Sequence, residues 1–331
     1  MSHIKTIIRN ATRISNERLN IITFPTHERY QSGLANTNAT FYLWQGQGIK
    51  PWNNFYAKLP DNHILLNPKY KNQVPDHITP DLVLSQNKLA HYKISKEIAQ
   101  YWSIPLVCLE HTLPMPTWSE AQVKSISGMR GNVNVFISDY SRKQWYGQPN
   151  DIIIHHGVDT NKFSPQKIKK EKYVLSVVND WINRDEPCGF KFWQQVTNHP
   201  KAVLPVFVVG DTPRLSTGAK DIEELIKAYN MSSVFLNTSQ YSPIPSVVLE
   251  AMSCGLPVVS TNNCMLPEVI KHGYNGFLSN NPLELRAFCK KLLDDDELRT
   301  TMGNNARETI INNFKLDSFT NNWEKLFRSI L

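Results

Sequence analysis

The residues of this chain best suited to chemistry stand in Tyr241–Glu268, which reads YSPIPSVVLEAMSCGLPVVSTNNCMLPE. Pro243 and Pro245 cannot stand inside a helix but suit its first turn, so a helix begins near Ser246. Ser246 to Cys254 are good helix formers with an apolar face, and Gly255 ends the helix. Its first N–H groups and partial positive charge suit an anionic ligand. Glu250 lies one turn further on, a carboxylate able to accept hydrogen bonds from sugar hydroxyls. Leu256–Ser260 is a short apolar run, read as a buried parallel strand.

Three other places carry candidate chemistry. The run Pro105–Leu109 ends in Glu110-His111-Thr112, and the run 19–25 leads into His27-Glu28-Arg29. Open α/β sheets bind ligands at the carboxyl ends of their strands, which makes these side chains candidate contacts. A histidine bonded to a loop, or a solvated helix start, are the plainer alternatives. Arg184 and Lys191 lie in the segment 179–191, with Asp185 and Glu186 beside Arg184 as competing partners.

The elements that must position these groups follow from periodicity. Strands are expected at 19–25, 39–44, 64–66, 81–85, 105–109, 134–138, 152–154, 173–178, 206–210, 233–237 and 256–260. Helices are expected at 26–36, 90–102, 141–145, 221–229, 246–254, 284–293 and 314–331. The alternation gives an α/β fold of doubly wound sheets. No G-x-G-x-x-G occurs, which disfavours a dinucleotide-dependent dehydrogenase. Asp294-Asp295-Asp296-Glu297 contains an Asp-x-Asp, but its place before Leu298 argues for a helix cap rather than a metal site. The stretch 45–77 mixes Trp, Tyr, Asn, Pro and Lys; it reads as packed loops, with base stacking as the alternative.

Composition sets the bounds. A chain of 331 residues, 41% hydrophobic and 20% charged, holds two folded domains. No apolar run is long enough to span a bilayer, and no secretion signal is evident in the first twenty residues. Five scattered cysteines (Cys108, Cys188, Cys254, Cys264, Cys289) suggest thiols in a reducing cytoplasm. The net charge is +7, and residues 1–160 hold 16 Lys and Arg against 11 Asp and Glu. Such a surface suits a polyanion or an anionic membrane, or is simply solvated.

The 242–277 stretch resembles the donor-binding signature of retaining GT-B glycosyltransferases, a Glu, seven residues, a second Glu, then Ala-Met-x-x-Gly-x-Pro-Val-Val. Glu250-Ala251-Met252-Ser253-Cys254-Gly255-Leu256-Pro257-Val258-Val259 fits, and Leu266-Pro267-Glu268 with Gly273-x-x-Gly276-Phe277 continues it. Ser242 stands in place of the first Glu. The segment 152–163, an apolar strand followed by Gly157-Val158-Asp159 and Phe163, is similar to the family's inter-domain segment.

The resemblance implies two Rossmann-like domains facing each other across a cleft, with a C-terminal helix returning to the first. Their expected extents are 1–160 for the acceptor, 161–313 for the donor and 314–331 for the returning helix. It implies that Glu250 holds the nucleotide ribose, that Gly210 opens the turn beside the base, and that Ile244, Pro245 and Ser246 line the donor. By the same resemblance Arg184 and Lys191 neutralise the departing diphosphate, while His111 and Ser242 lie near the transferred sugar. His27, Glu28 and Arg29 would meet the acceptor.

The implied reaction is retaining and independent of metal or cofactor, with a UDP-linked sugar as co-substrate. THERYQSGL is similar to sequences of bacteriophage enzymes that glycosylate hydroxymethylated bases in DNA. The expected acceptor is therefore 5-hydroxymethylcytosine in duplex DNA, receiving glucose or arabinose in the host cytoplasm, without integral membrane contact. The alternatives are a cytoplasmic polysaccharide or glycolipid glycosyltransferase, and a non-catalytic protein that binds nucleotide sugars.

Overall fold

A computed structural model describes residues 2–331 except Gln47, Lys71 and 199–202. The chain forms two compact units, residues up to Gly157 with Asp317–Leu331, and Val158–Leu316. The extents expected from sequence had their boundaries at 160 and 313.

The first unit is built on β1 (Leu19–Thr23), β2 (Ala39–Leu43), β3 (His63–Leu65), β4 (Leu82–Ser85), β5 (Leu106–Glu110), β6 (Val133–Phe136) and β7 (Ile152–Ile153). All pair in parallel, in the order β3-β2-β1-β4-β5-β6-β7. Helices cover both faces of such a sheet, so its central strands are apolar throughout: every residue of β4 and β5 is buried. Chain order reverses between β1 and β4, which leaves a gap for ligands past their carboxyl ends.

The helices of this unit are α1 (Ser2–Thr12), α2 (Glu28–Gly33), α3 (Tyr92–Trp102), α4 (Glu120–Ser127) and α5 (Asp139–Gln144). Helix α1 has no counterpart among the sequence expectations. Thr6 donates to the Trp102 carbonyl at 2.6 Å, and Arg9 and Arg13 reach Asp81 at 3.0 and 2.6 Å. Ile4, Ile7 and Ile8 face solvent.

The second unit holds β8 (Val174–Val177), β9 (Val206–Val209), β10 (Val234–Asn237), β11 (Val258–Ser260) and β12 (Gly276–Leu278). They form a parallel sheet in the order β12-β11-β10-β8-β9, with the reversal between β8 and β10. Around it lie α6 (Asp185–Cys188), α7 (Phe190–Thr197), α8 (Ile222–Met231), α9 (Ser246–Ser253), α10 (Leu266–Val269), α11 (Pro282–Asp294) and α12 (Asp296–Asn313). Leu249, Met252 and Ile310 pack in one core cluster, and Trp181, Trp193 and Leu285 in another. Asp295 caps α12 by accepting from the Leu298 N–H at 2.9 Å, and Asp296 pairs with Arg299 at 2.9 Å.

The last helix, α13 (Leu316–Ser329), packs within the first unit from Asp317 onward. Trp323 and Phe327 are fully buried there, and the Trp323 indole donates to the Tyr30 hydroxyl at 3.0 Å. Glu324 accepts from the Asn38 N–H at 2.8 Å. Among the described residues, no helix is long and apolar enough to cross a membrane. None of the five cysteines forms a disulfide.

Candidate functional site

Each unit gathers polar side chains where its strand order reverses. In the first, they come from the loops after β1, β4, β5 and β7. His27 follows β1 with φ +47°, a left-handed conformation that costs a non-glycine residue about 1 kcal/mol or more. That geometry turns its ring onto His111, with 4.1 Å between centroids. Tyr30 stands edge-on to His111 at 4.4 Å and to His156 at 5.1 Å. Tyr30 is itself held by Trp323 of α13.

Beneath the rings lies Gln86, the first residue after β4 and wholly buried. Its Nε2 donates to Thr23 Oγ1 at 2.9 Å and to Gln31 Oε1 at 2.5 Å, and its Oε1 meets His111 Nε2 at 3.1 Å. Burial, reinforced by His27 and His156, holds His111 well below the usual imidazole pKa. Burial likewise brings His91 and His156 down to about 4. His27, exposed on one side, is lowered by desolvation of its ring and then by Lys50, against the opposing pull of Glu28.

 His91, stacked on Phe24 at 4.4 Å, owes this first to burial and then to His27. Imidazoles held neutral in this way offer hydrogen bonds rather than positive charge at neutral pH.

The remaining expected groups of this unit have other partners. Glu28 accepts from the Asn53 N–H at 3.1 Å, tying the loop after β2 to the start of α2. Arg29 is exposed. Glu110, beside His111, is buried and accepts from the N–H groups of Lys88 and Thr112 and from the Thr112 hydroxyl at 2.6 Å. Those bonds make it a brace for the loop after β5.

In the second unit the loops after β8 and β10 flank the reversal. They are joined directly, since the Gln240 and Tyr241 N–H groups donate to the Pro187 carbonyl of α6 at 2.9 and 3.1 Å. Arg184, at the start of α6, therefore lies on the element bonded to the chain just before Ser242. It is exposed, and its guanidinium reaches the Asn179 carbonyl at 3.4 Å. Lys191 is 82% exposed and pairs with Asp185 at 3.2 Å.

Two glycines permit this close approach. A Cβ on Gly189, at φ +68°, would stand 1.9 Å from the Thr238 carbonyl oxygen. One on Gly210, at the end of β9, would stand 1.9 Å from the Val178 carbonyl oxygen.

Helix α9 begins at Ser246 after Pro245, and no side chain caps it. The Val248 N–H meets the Pro245 carbonyl at 3.0 Å, and among the described residues the Ser246 and Val247 N–H groups have no such backbone partner, so they suit another acceptor. Ile244 is buried in the core against the helix and anchors the loop by packing, while Ser242, Pro245 and Ser246 are half-buried. Glu250 is 5% exposed, and its Oε2 accepts from the Tyr229 hydroxyl at 2.9 Å. That bond orients the carboxylate.

Residues 216–309 match the family model described as Glycosyl transferases group 1. Among curated relatives, N-acetyl-alpha-D-glucosaminyl L-malate synthase of Bacillus anthracis is 33% identical over 103 residues, covering 30% of this chain and 27% of the relative. Spore coat protein SA of Bacillus subtilis is 34% identical over 116 residues, covering 34% of this chain and 28% of the relative. The chain thus spans under a third of the length of these curated relatives. Anabaena Alr3699/HepE, solved in complex with UDP, superposes with a TM-score of 0.73 at 15% identity, over 94% of this chain and 100% of that one. Sucrose-phosphate synthase from Thermosynechococcus elongatus gives 0.73 at 14%, over 94% and 99%.

The fold is GT-B. In GT-B terms, each unit is one Rossmann-like domain, and the family match falls in the second. Sequence reading picked His27 and His111 by their places after strands, but missed Gln86, Tyr30 and His156. Gln86 was within reach of the same rule, since it directly follows the apolar run 81–85. Tyr30 and His156 carried no such signal: their proximity to His111 is made by the fold.

Proposed function

We propose that this chain transfers a sugar, with retention at the anomeric carbon, from a UDP-linked donor to an acceptor hydroxyl. The observation that carries the reading is the uncapped start of α9 at the strand reversal of the second unit, with Glu250 one turn along the same helix. The family match over 216–309 contains α9 and Glu250. The first-turn N–H groups of α9 and the Arg184 guanidinium stabilise the diphosphate as its negative charge develops. Glu250, oriented by Tyr229, accepts from the ribose hydroxyls. Lys191 assists the diphosphate on leaving Asp185. Gly210 keeps the turn after β9 low enough for the nucleotide base.

Ser242 offers no carboxylate to form a covalent intermediate. The acceptor oxygen therefore attacks the anomeric carbon on the face from which the bond to phosphate breaks, and its proton passes to a leaving phosphate oxygen. His111 and His27, both neutral, accept from hydroxyls of the sugar or acceptor, with Glu28 and Arg29 at the acceptor's edge. No metal is required in this scheme. The Asp-x-Asp residues cap and pair within α12.

For the acceptor, hydroxymethylcytosine in duplex DNA is supported by the positive excess of residues 1–160 and by the exposed Phe55, Tyr56 and Tyr70 among Lys50, Lys58 and Lys69. A glycan or lipid hydroxyl is supported by relatives such as the capsular polysaccharide biosynthesis glycosyltransferase CapM of Staphylococcus aureus and sulfoquinovosyl transferase SQD2 of Arabidopsis thaliana. The test is to incubate the protein with nucleotide sugars and either hydroxymethylated DNA or glycan acceptors, then follow nucleotide release and product mass. Sugar-modified nucleosides support the first acceptor and modified glycans the second. Absence of nucleotide release with every donor would leave only a binding protein.

A further inference from the structure

The hydrogen bonds beneath His111 continue into the first unit and end on backbone. Asn62 Nδ2 donates to the carbonyls of Ala35 and Ala39 at 3.0 and 2.9 Å. Two carbonyls can only be met by the NH2 end of an amide, so Asn62 cannot be flipped. Its Oδ1 then faces His63 Nδ1 at 3.0 Å, and that nitrogen must carry the proton.

His63 is buried, with its pKa pushed down to about 4, so it is neutral and its Nε2 is an acceptor. That nitrogen lies 2.9 Å from Gln31 Nε2, which donates to it. Gln31 thereby turns Oε1 toward Gln86, whose Nε2 donates at 2.5 Å. Gln86 Nε2 also donates to Thr23 Oγ1 at 2.9 Å, while the Thr23 hydroxyl spends its own proton on the Leu84 carbonyl at 3.0 Å. Every orientation is forced, and the oxygen left facing His111 Nε2 at 3.1 Å is Gln86 Oε1.

We propose that Asn62, His63, Gln31 and Gln86 form a positioning relay that locks His111 as its Nε2–H tautomer and presents Nδ1 as a bare acceptor. The consequence is selectivity for a donor group. The ring takes a hydrogen bond from a substrate hydroxyl and turns away a carbonyl or phosphate oxygen, which has no proton to give. Gln86 and Gln31 act through His111 and do not themselves touch substrate. The inference deepens the proposed function, since it assigns His111 the hydroxyl of the sugar or acceptor.

The test is histidine-selective 15N labelling of the full chain, with long-range 1H–15N correlation spectra read near neutral pH. His111 is assigned by the peaks lost in His111→Asn. The expected result is a single Nε2–H pattern for His111 in the native protein and a mixed pattern in Gln86→Met. Gln86→Met is also expected to lower kcat/KM about tenfold, the worth of one buried hydrogen bond. Should Gln86→Met not fold, Gln31→Met frees Gln86 to flip and is expected to bring up the Nδ1–H pattern. An Nδ1–H or averaged ring in the native protein would overturn the relay, as would an unchanged Nε2–H pattern in both variants. The spectra need no substrate, so they separate this inference from the reaction: normal turnover in His111→Ala beside an intact native pattern would remove the substrate contact and leave the tautomer standing.

Discussion

Replacing Glu250 by Ala removes a buried carboxylate and its hydrogen bond from the Tyr229 hydroxyl, whereas Gln keeps the shape and one acceptor oxygen. If the ribose is held here, Glu250→Ala weakens UDP binding by about 1.5–3 kcal/mol, roughly 10- to 150-fold, and Glu250→Gln by less. Calorimetric titration of each folded variant checks this, and equal affinities would move the nucleotide elsewhere. Arg184 differs because, in the proposed reaction, it acts on charge that appears only as the donor breaks. Arg184→Ala is expected to lower kcat by about a hundredfold while KM changes little. Steady-state kinetics with native turnover would shift that role to Lys191, whose ammonium now rests on Asp185.

The joints between elements matter as much as the site residues. Gly189 lets α7 start against the loop after β10, and a methyl group at that position would meet the Thr238 carbonyl oxygen at 1.9 Å while φ stays at +68°. Gly189→Ala is expected to destabilise the chain by about 1–3 kcal/mol and to displace the 238–245 loop. A thermal melt and a nucleotide titration read the two effects separately. In the first unit α13 supplies the partner of Tyr30. Trp323→Ala opens a cavity worth about 3–5 kcal/mol and frees Tyr30 beside His111. A lower melting temperature is expected, and an unchanged one would mean that α13 packs otherwise.

Acid stability is a property of the whole chain. His63, His91 and His156 hold folded pKa values of about 4 through burial, below the ordinary value of 6.5. A depressed histidine binds its proton more readily unfolded than folded. Stability is therefore full above pH 6.5 and is lost as pH falls from there toward 4, by up to about 1.4 kcal/mol per pH unit for each group. Urea unfolding between pH 4 and 8 should show a plateau above 6.5 and a fall below it, and a flat profile would contradict the burial of the cluster.

What was legible in the sequence follows from short-range rules. Runs such as 82–85 and 234–237 are apolar because parallel strands are covered on both faces, and Pro245 with Gly255 brackets a helix wherever it stands. Those rules sufficed for two α/β units and for the start of α9 after Pro245. They failed at α1, where the isoleucine stripe suggests burial but the polar edge is what the protein holds, through Asp81 and the Trp102 carbonyl. The polar cluster of the first unit was likewise open to sequence only in part. His27 and His111 announce themselves by following strands, but the contacts that set their chemistry join residues 23, 31, 62, 63, 86, 111 and 323, and no local pattern carries pairings at such separations. Chain order alone determined which residue types end the strands. Tertiary structure decided which of them meet, because only the parallel register of β1, β2, β3, β4 and β5 brings their ends, and the protons between them, to one place.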